Sequence, residues 1–235
     1  EPISAKTAVV DPAVCQPVLD KLKQKSWSLD YIFNTHHHSD HIGANLELKA
    51  ATNCQILAAK ADQHRIPGID KALKNDDEIT LGKEVIKVIE TPGHTLGHIV
   101  FHFYNSNNLF CGDTLFSMGC GRLFEGSAEQ MWHSLQRLKA LPKETKIYCA
   151  HEYTLANGNF ALTLEPKNQA LKLRILQVNQ LRADNKPTIP STLEQELATN
   201  PFLREDSLEL QQSINRVGKP AIEVFRHIRK LKDSF

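Results

Sequence analysis

The chain has 235 residues, enough for one large domain or a domain with a smaller partner, and well above the size at which a hydrophobic core becomes marginal. Apolar residues make up 41% and charged residues 23%, which excludes collagen, coiled coil and wholesale disorder. With 28 basic and 27 acidic side chains the net charge is +1, so no global field draws the protein to nucleic acid or an anionic membrane, and neither is an expected partner.

Cys15, Cys54, Cys111, Cys120 and Cys149 are odd in number, widely spaced and without a C-x-x-C pair. That argues against a disulfide framework and a thiolate zinc site, and points to a soluble protein of a reducing, cytoplasmic compartment. No apolar run approaches a membrane span, and the opening Glu1-Pro2-Ile3-Ser4-Ala5-Lys6 lacks the basic and apolar regions of a secretory signal. Composition leaves the oligomeric state open, with a monomer as the working expectation.

In chain order, short β-rich runs broken by turn residues predict strands at Thr7 to Val10, Tyr31 to Phe33, Gln55 to Ala58, Val85 to Ile89, Ile99 to Phe103, Leu109 to Cys111 and Ile147 to Cys149. Ala128 to Ala140 reads as a helix, with Met131, Leu135 and Leu138 on one face. From Pro166 onward the pattern becomes wholly helical. Leu171, Ile175, Val178 and Leu181 form one stripe, and Ser191 with Glu194 predicts a capping box. Val224, Phe225, Ile228 and Leu231 line one side of a last helix, Ala221 to Lys232. The change of period predicts two parts, residues 1–158 of mixed α and β and residues 159–235 of helix.

The densest chemical signal is Thr35-His36-His37-His38-Ser39-Asp40-His41, directly after an apolar strand. Imidazole and carboxylate bind zinc, iron or manganese without thiolates, and His36 and His38 point the same way on extended backbone. Asp40 and His41, where the chain turns toward Gly43 and a helix, can reach a second ion. An expression tag would sit at a terminus, whereas this run is internal and includes an aspartate. His94, Asp113 and His151 each follow a further strand, so five histidines and two aspartates are expected at one edge of one sheet.

His36-x-His38-x-Asp40-His41 with His94, Asp113 and His151 resembles the binuclear metal signature of the metallo-β-lactamase superfamily. Within it, four flanking stretches resemble the glyoxalase II (hydroxyacylglutathione hydrolase) family: Thr91 to His98 (TPGHTLGH), Phe110 to Phe116 (FCGDTLF), Gly119 to Gly126 (GCGRLFEG) and Cys149 to Thr154 (CAHEYT). The resemblance runs from Val9-Val10-Asp11-Pro12 to the last residue. It implies an α/β fold, the four-layer αβ/βα sandwich of metallo-β-lactamase type, followed by a helical domain that helps hold glutathione.

It also implies two divalent ions per chain, zinc first, with iron or manganese as alternatives. His36, His38 and His94 would hold one, Asp40, His41 and His151 the other, and Asp113 both. His37 is outside that set and reads as packing or support. The implied chemistry is hydrolysis of a glutathione thioester, S-D-lactoylglutathione, by hydroxide formed near neutral pH from a shared water, with no catalytic residue outside the ligands. The substrate side would comprise Arg122, Phe124, Tyr153, Arg229 and Lys232, the last two as an R-x-x-K pair for the glycine carboxylate of glutathione. Arg226, Arg229 and Lys232 otherwise read as a solvated basic row.

Several positions depart from the family pattern. Some relatives carry Lys and Tyr at positions 122 and 124, so the phenol hydrogen bond is missing at Phe124. Ser39 replaces a bulky aromatic or His, and Ala13 replaces Gly. The family usually has a strand and turn before Val9, so one sheet edge is expected to be open or that piece to lie outside the sequence. The competing reading within the fold is a persulfide dioxygenase with a single iron.

Overall fold

The computed structural model describes residues 1–235. The strands are β1 (Ala8–Val10), β2 (Tyr31–Asn34), β3 (Gln55–Ala59), β4 (Lys71–Leu73), β5 (Glu78–Leu81), β6 (Glu84–Glu90), β7 (Ile99–Phe103), β8 (Asn108–Gly112), β9 (Leu115–Phe116), β10 (Gly119–Cys120), β11 (Lys146–Cys149) and β12 (Ser191–Thr192). The helices are α1 (Cys15–Lys25), α2 (Ser39–Ile42), α3 (Asn45–Thr52), α4 (Ala128–Lys139), α5 (Thr154–Leu164), α6 (Gln169–Ala183), α7 (Leu193–Thr199), α8 (Leu208–Ser213) and α9 (Ala221–Asp233). Single 3-10 turns lie at Lys60–Asp62 and Pro201–Leu203.

Alternation along the strands builds the layers. β1-β2-β3-β4 form one all-parallel sheet, and β12-β11-β8-β7-β6-β5 form a second, mixed one. Phe33 from β2 and Leu57 from β3 meet Ile86, Val88, Phe101 and Phe103 of the second sheet in a core between the two. Ile32 and Ile56, one residue out of phase, instead face Cys15, Leu22 and Leu48 of the helices on the outside. On the far face of the second sheet, Val100 and Leu109 pack with Met131, Leu135 and Leu138 of α4 and with Val224, Phe225 and Ile228 of α9. Both faces of each sheet are thus covered, which is why β7 is buried at every position rather than alternating with solvent. This is the αβ/βα sandwich the sequence implied.

The structure corrects three expectations. The C-terminal part is not wholly helical: β12 pairs antiparallel with β11 at the edge of the second sheet, Ser191 opposite Ile147. Ser191 is therefore occupied in a strand, and the capping box falls one residue later, between Thr192 and Gln195. The ligand loops come from two sheets rather than one: His36 to His41 follow β2 of the first, and His94, Asp113 and His151 follow β6, β8 and β11 of the second. β1 is an edge strand, beside which a cavity of about 1010 Å³ opens between the sheets.

Candidate metal centre

β6, β8 and β11 run in one direction, since β7 is antiparallel to both β6 and β8 and β11 is parallel to β8. Their C-terminal ends therefore present His94, Asp113 and His151 at a common edge. A register shift between β8 and β11 pairs Cys149 with Gly112 instead of Cys111, a local irregularity of the kind that re-aims the chain beside a site. Gly112 takes φ +48, and a Cβ there would run into Thr35 and His98, so only glycine lets β8 turn toward Asp113.

Three groups have ligand atoms within 4.8 Å of one another: His36, His38 and His94; Asp40, His41 and His151; and Asp11, His36 and His41, where Asp11 is taken up by hydrogen bonds to Thr35 and His41, which leaves the first two as donor groups. In the first, His38 Nδ1 lies 3.0 Å from His36 Nε2 and 3.1 Å from His94 Nε2. In the second, His151 Nε2 lies 3.3 Å from Asp40 Oδ2, and His41 Nε2 lies 3.6 Å from the same oxygen. Asp113 stands between them: Oδ2 is 3.4 Å from His94 Nε2, while Oδ1 is 3.5 Å from both His41 and His151 Nε2. All seven residues singled out in the sequence converge.

Side chains behind the donors fix which nitrogen faces the centre. His41 Nδ1 donates to Asp11 Oδ2 at 3.0 Å, and His94 Nδ1 donates to the Arg122 carbonyl at 2.8 Å, leaving each Nε2 directed at the site. Thr35 donates to Asp11 at 2.7 Å and sits 3.0 Å from His36 Nδ1. His98, fully buried, stacks on the His36 ring and accepts the Asp113 backbone N–H at 3.1 Å. Asp11 and His98 stand directly behind the donors, and the sequence reading passed over them. Asp11 ends an apolar strand just as the ligands do, which was the available signal.

The electrostatics of the two groups differ. Burial, reinforced by neighbouring imidazoles, pushes His36 and His38 below the ordinary histidine range, and burial pulls His94 down against the nearby Asp113 carboxylate. Burial thus favours the neutral rings, whose lone pairs are available to a cation. At His41 burial also acts downward, but the Asp11 hydrogen bond and the surrounding carboxylates outweigh it and raise the ring. His151 is raised chiefly by its hydrogen bond with Asp113.

His41 Nε2 and Asp113 Oδ1 are buried without a hydrogen-bond partner and face one another. A cation satisfies both at once, so the donor set fits a divalent metal.

Residues 3–151 match the family model described as Metallo-beta-lactamase superfamily, and residues 152–235 match the one described as Hydroxyacylglutathione hydrolase C-terminus. A hydroxyacylglutathione hydrolase of Methylococcus capsulatus is 57% identical over all of this chain and 92% of its own length. One from Rhodospirillum rubrum is 52% identical over 97% of this chain and 89% of its own. The chain belongs to the hydroxyacylglutathione hydrolase family. Among solved structures, the ETHE1 protein of Myxococcus xanthus superposes with a TM-score of 0.66 at 23% identity, covering 100% of this chain and 91% of its own. The BLEG-1 B3 metallo-β-lactamase gives 0.66 at 22%, covering 87% and 91%, so both likenesses speak to the fold alone.

Of the five substrate-side residues suggested by resemblance to hydroxyacylglutathione hydrolases, three lie beside the donors. The Phe124 ring stands edge-on to His38 and His94 at 5.5 and 5.2 Å, and Tyr153 stacks on His151 at 5.3 Å. Both rings are exposed, and Arg122 reaches toward Asp233 at 3.7 Å. Arg229 is only 5% exposed. It donates to the Cys120 carbonyl and to Asp233, each at 2.9 Å, so Arg229 leaves the solvated face on which Arg226 stays exposed. Lys232 lies about 5 Å from the rings of Phe160 and Phe235.

Proposed function

We propose that the protein is a metal-dependent thioester hydrolase that cleaves S-D-lactoylglutathione, and related S-2-hydroxyacylglutathiones, to glutathione and a 2-hydroxy acid, the second step of methylglyoxal detoxification. The observation that carries the reading is the two-sided placement of Asp113 between the three-histidine group and the Asp40, His41, His151 group, in a chain 57% identical to a hydroxyacylglutathione hydrolase over its whole length. Two divalent ions, zinc foremost and iron or manganese as substitutes, would be held by His36, His38 and His94 and by Asp40, His41 and His151, with Asp113 common to both. Bound there, they supply a water acidified toward neutral pH and a Lewis acid for the thioester carbonyl.

The chain's own groups supply the rest. Phe124 walls one side of the donor cluster and Tyr153 the other, so a planar thioester enters between two rings. Phe124 excludes water by its apolar edge and offers no hydroxyl to the peptide of glutathione. The departing thiol has a pKa near 8.5, by analogy with cysteine, and leaves as thiolate without a protonated side chain beside it. Arg122 and Lys232 form a cationic margin for the glutathione carboxylates, and Arg229, buried against the Cys120 carbonyl, braces that margin from behind. In this division of labour residues 1–158 carry the metal groups and residues 159–235 complete the substrate margin. Five free, buried cysteines support a reducing, cytoplasmic location. No helix is long and apolar enough to cross a membrane.

The single-iron persulfide dioxygenase reading gains no support. Its mononuclear site would leave the Asp40, His41, His151 group without a purpose.

Purified protein assayed on S-D-lactoylglutathione should show loss of thioester absorbance and release of free thiol. The activity should disappear on chelation and return with zinc. A folded, metal-holding protein that leaves the thioester intact would overturn the assignment.

A further inference from the structure

Asp62, at the end of the 3-10 turn after β3, is completely buried and contacts no metal donor. One carboxylate oxygen accepts His37 Nδ1 at 3.0 Å. The other accepts the Arg65 fork, with Nε at 3.1 Å and Nη2 in close contact. Arg65 Nη1 then reaches His37 Nε2 at 3.2 Å and Glu125 Oε1 at 2.6 Å. The His37 ring is thus held at both nitrogens, donating to Asp62 and accepting from Arg65. Glu125 in turn accepts the Leu96 backbone N–H at 2.7 Å, and the Arg65 hydrogen bond holds its carboxyl down at about 2.

The chain of contacts joins four segments distant in sequence, at His37, Asp62 to Arg65, Leu96 and Glu125. It ends on the 122–126 loop, which is itself laid along the His94 turn. Phe124 N–H donates to the His94 carbonyl at 3.2 Å and Gly126 N–H to the Gly93 carbonyl at 3.0 Å. The Arg122 carbonyl receives the His94 ring proton. The Asp62 carboxylate also lies flat against Gly97, where any Cβ would overlap it, which explains a glycine between Leu96 and His98.

We propose that Arg65 is a positioning residue for the thioester cleft: anchored by Asp62 and His37, it clamps Glu125 and so holds the loop carrying Arg122 and Phe124 against the His94 edge of the donor cluster. The inference rests on the thioester-hydrolase reading for what the loop binds, though the clamp itself does not. A fork shared between two carboxylates and an imidazole is geometry that Arg supplies and Lys does not.

The test uses metal-loaded full-length protein and three variants, Arg65→Ala, Glu125→Gln and their combination. Loss of a hydrogen bond between charged groups corresponds to roughly a tenfold or greater fall in kcat/KM for Arg65→Ala. The fall should reside in KM, with kcat within about threefold of the parent, as for an interaction that positions substrate. Metal content should stay unchanged. Glu125→Gln should shift KM in the same direction by less, and the double variant should be no worse than Arg65→Ala, because both break one clamp. Hydrogen exchange should speed up in peptides covering residues 93–98 and 122–126 of either single variant. A lowered denaturation midpoint with unchanged KM, additive effects in the double variant, or unaltered exchange in those two peptides would overturn the proposal. Should Arg65→Ala not fold, Glu125→Gln decides by the same readouts. Should the parent protein fail to hydrolyse the thioester, the functional reading falls, and exchange in the two peptides alone keeps or sinks the clamp.

Discussion

Asp11 is held in the left-handed region, φ +50, a conformation that costs an aspartate about 1 kcal/mol. There its two oxygens accept the Thr35 N–H at 2.7 Å, the Thr35 hydroxyl and the His41 ring. All three partners donate, so Asp11→Asn turns one acceptor into a donor facing donors. It should weaken metal binding on the His41 side by about 10- to 100-fold, read by competition with a chromophoric chelator; parental affinity would show that His41 orients itself. His98 makes a second residue-scale prediction. Burial lowers it to about 3, and burial likewise lowers His36, His38 and His94. The unfolded chain accepts protons on these rings that the fold refuses, so their contribution to stability is full above about 6.5 and drains as pH falls, for His98 toward 3, while the raised His41 and His151 act in the opposite direction but are fewer. Urea unfolding of the chelated protein at pH 7.5 and 5.5 should show the lower midpoint at 5.5. His98→Gln should reduce that pH dependence by about one proton, and an undiminished slope would contradict the burial argument. The seven donors were legible because each sits in a short window after an apolar run. Asp11 carried only the signal of ending an apolar strand, and His98 and Asp62 were not legible, because their roles arise from contacts between segments that no local pattern relates.

At the scale of the element, helix stripes translated well. Met131, Leu135 and Leu138 of α4 are fully buried, and the Ser127–Gln130 capping box starts that helix. Short edge strands did not. β5 alternates exposed and buried as a half-covered strand should, yet four residues beside turns carry a weak signal, and two-residue β12 carries none. The predicted cap at Ser191 gives way to Thr192 because Ser191 pairs with Ile147 in β12. α9 carries the element-scale prediction. Arg229 turns inward, stacks over Phe202 at 5.1 Å and ties α9 to the Cys120 carbonyl at the end of β10, just before Arg122. Arg229→Ala should lower stability by about 2–3 kcal/mol, since it orphans the Cys120 carbonyl and removes charged hydrogen bonds. Urea denaturation checks it, and an unchanged midpoint would mean that α9 is held by its apolar stripe alone.

At the scale of the whole molecule, neither sheet makes the centre by itself. The first supplies the loop after β2, the second the ends of β6, β8 and β11, and the apolar core between the sheets sets their spacing. The fold class was readable from strand runs followed by helix stripes together with the family motifs. The division of donors between two sheets was not, because sequence records which residues end strands but not which strands pair. Function turns on whether this two-sheet edge holds two divalent ions and whether the pair makes a thioesterase. The direct measurement is a zinc titration of chelated protein, following S-D-lactoylglutathione turnover against bound metal. Turnover should rise until two equivalents per chain are bound and then level off. Full turnover at one equivalent, or none with two bound, would contradict that expectation.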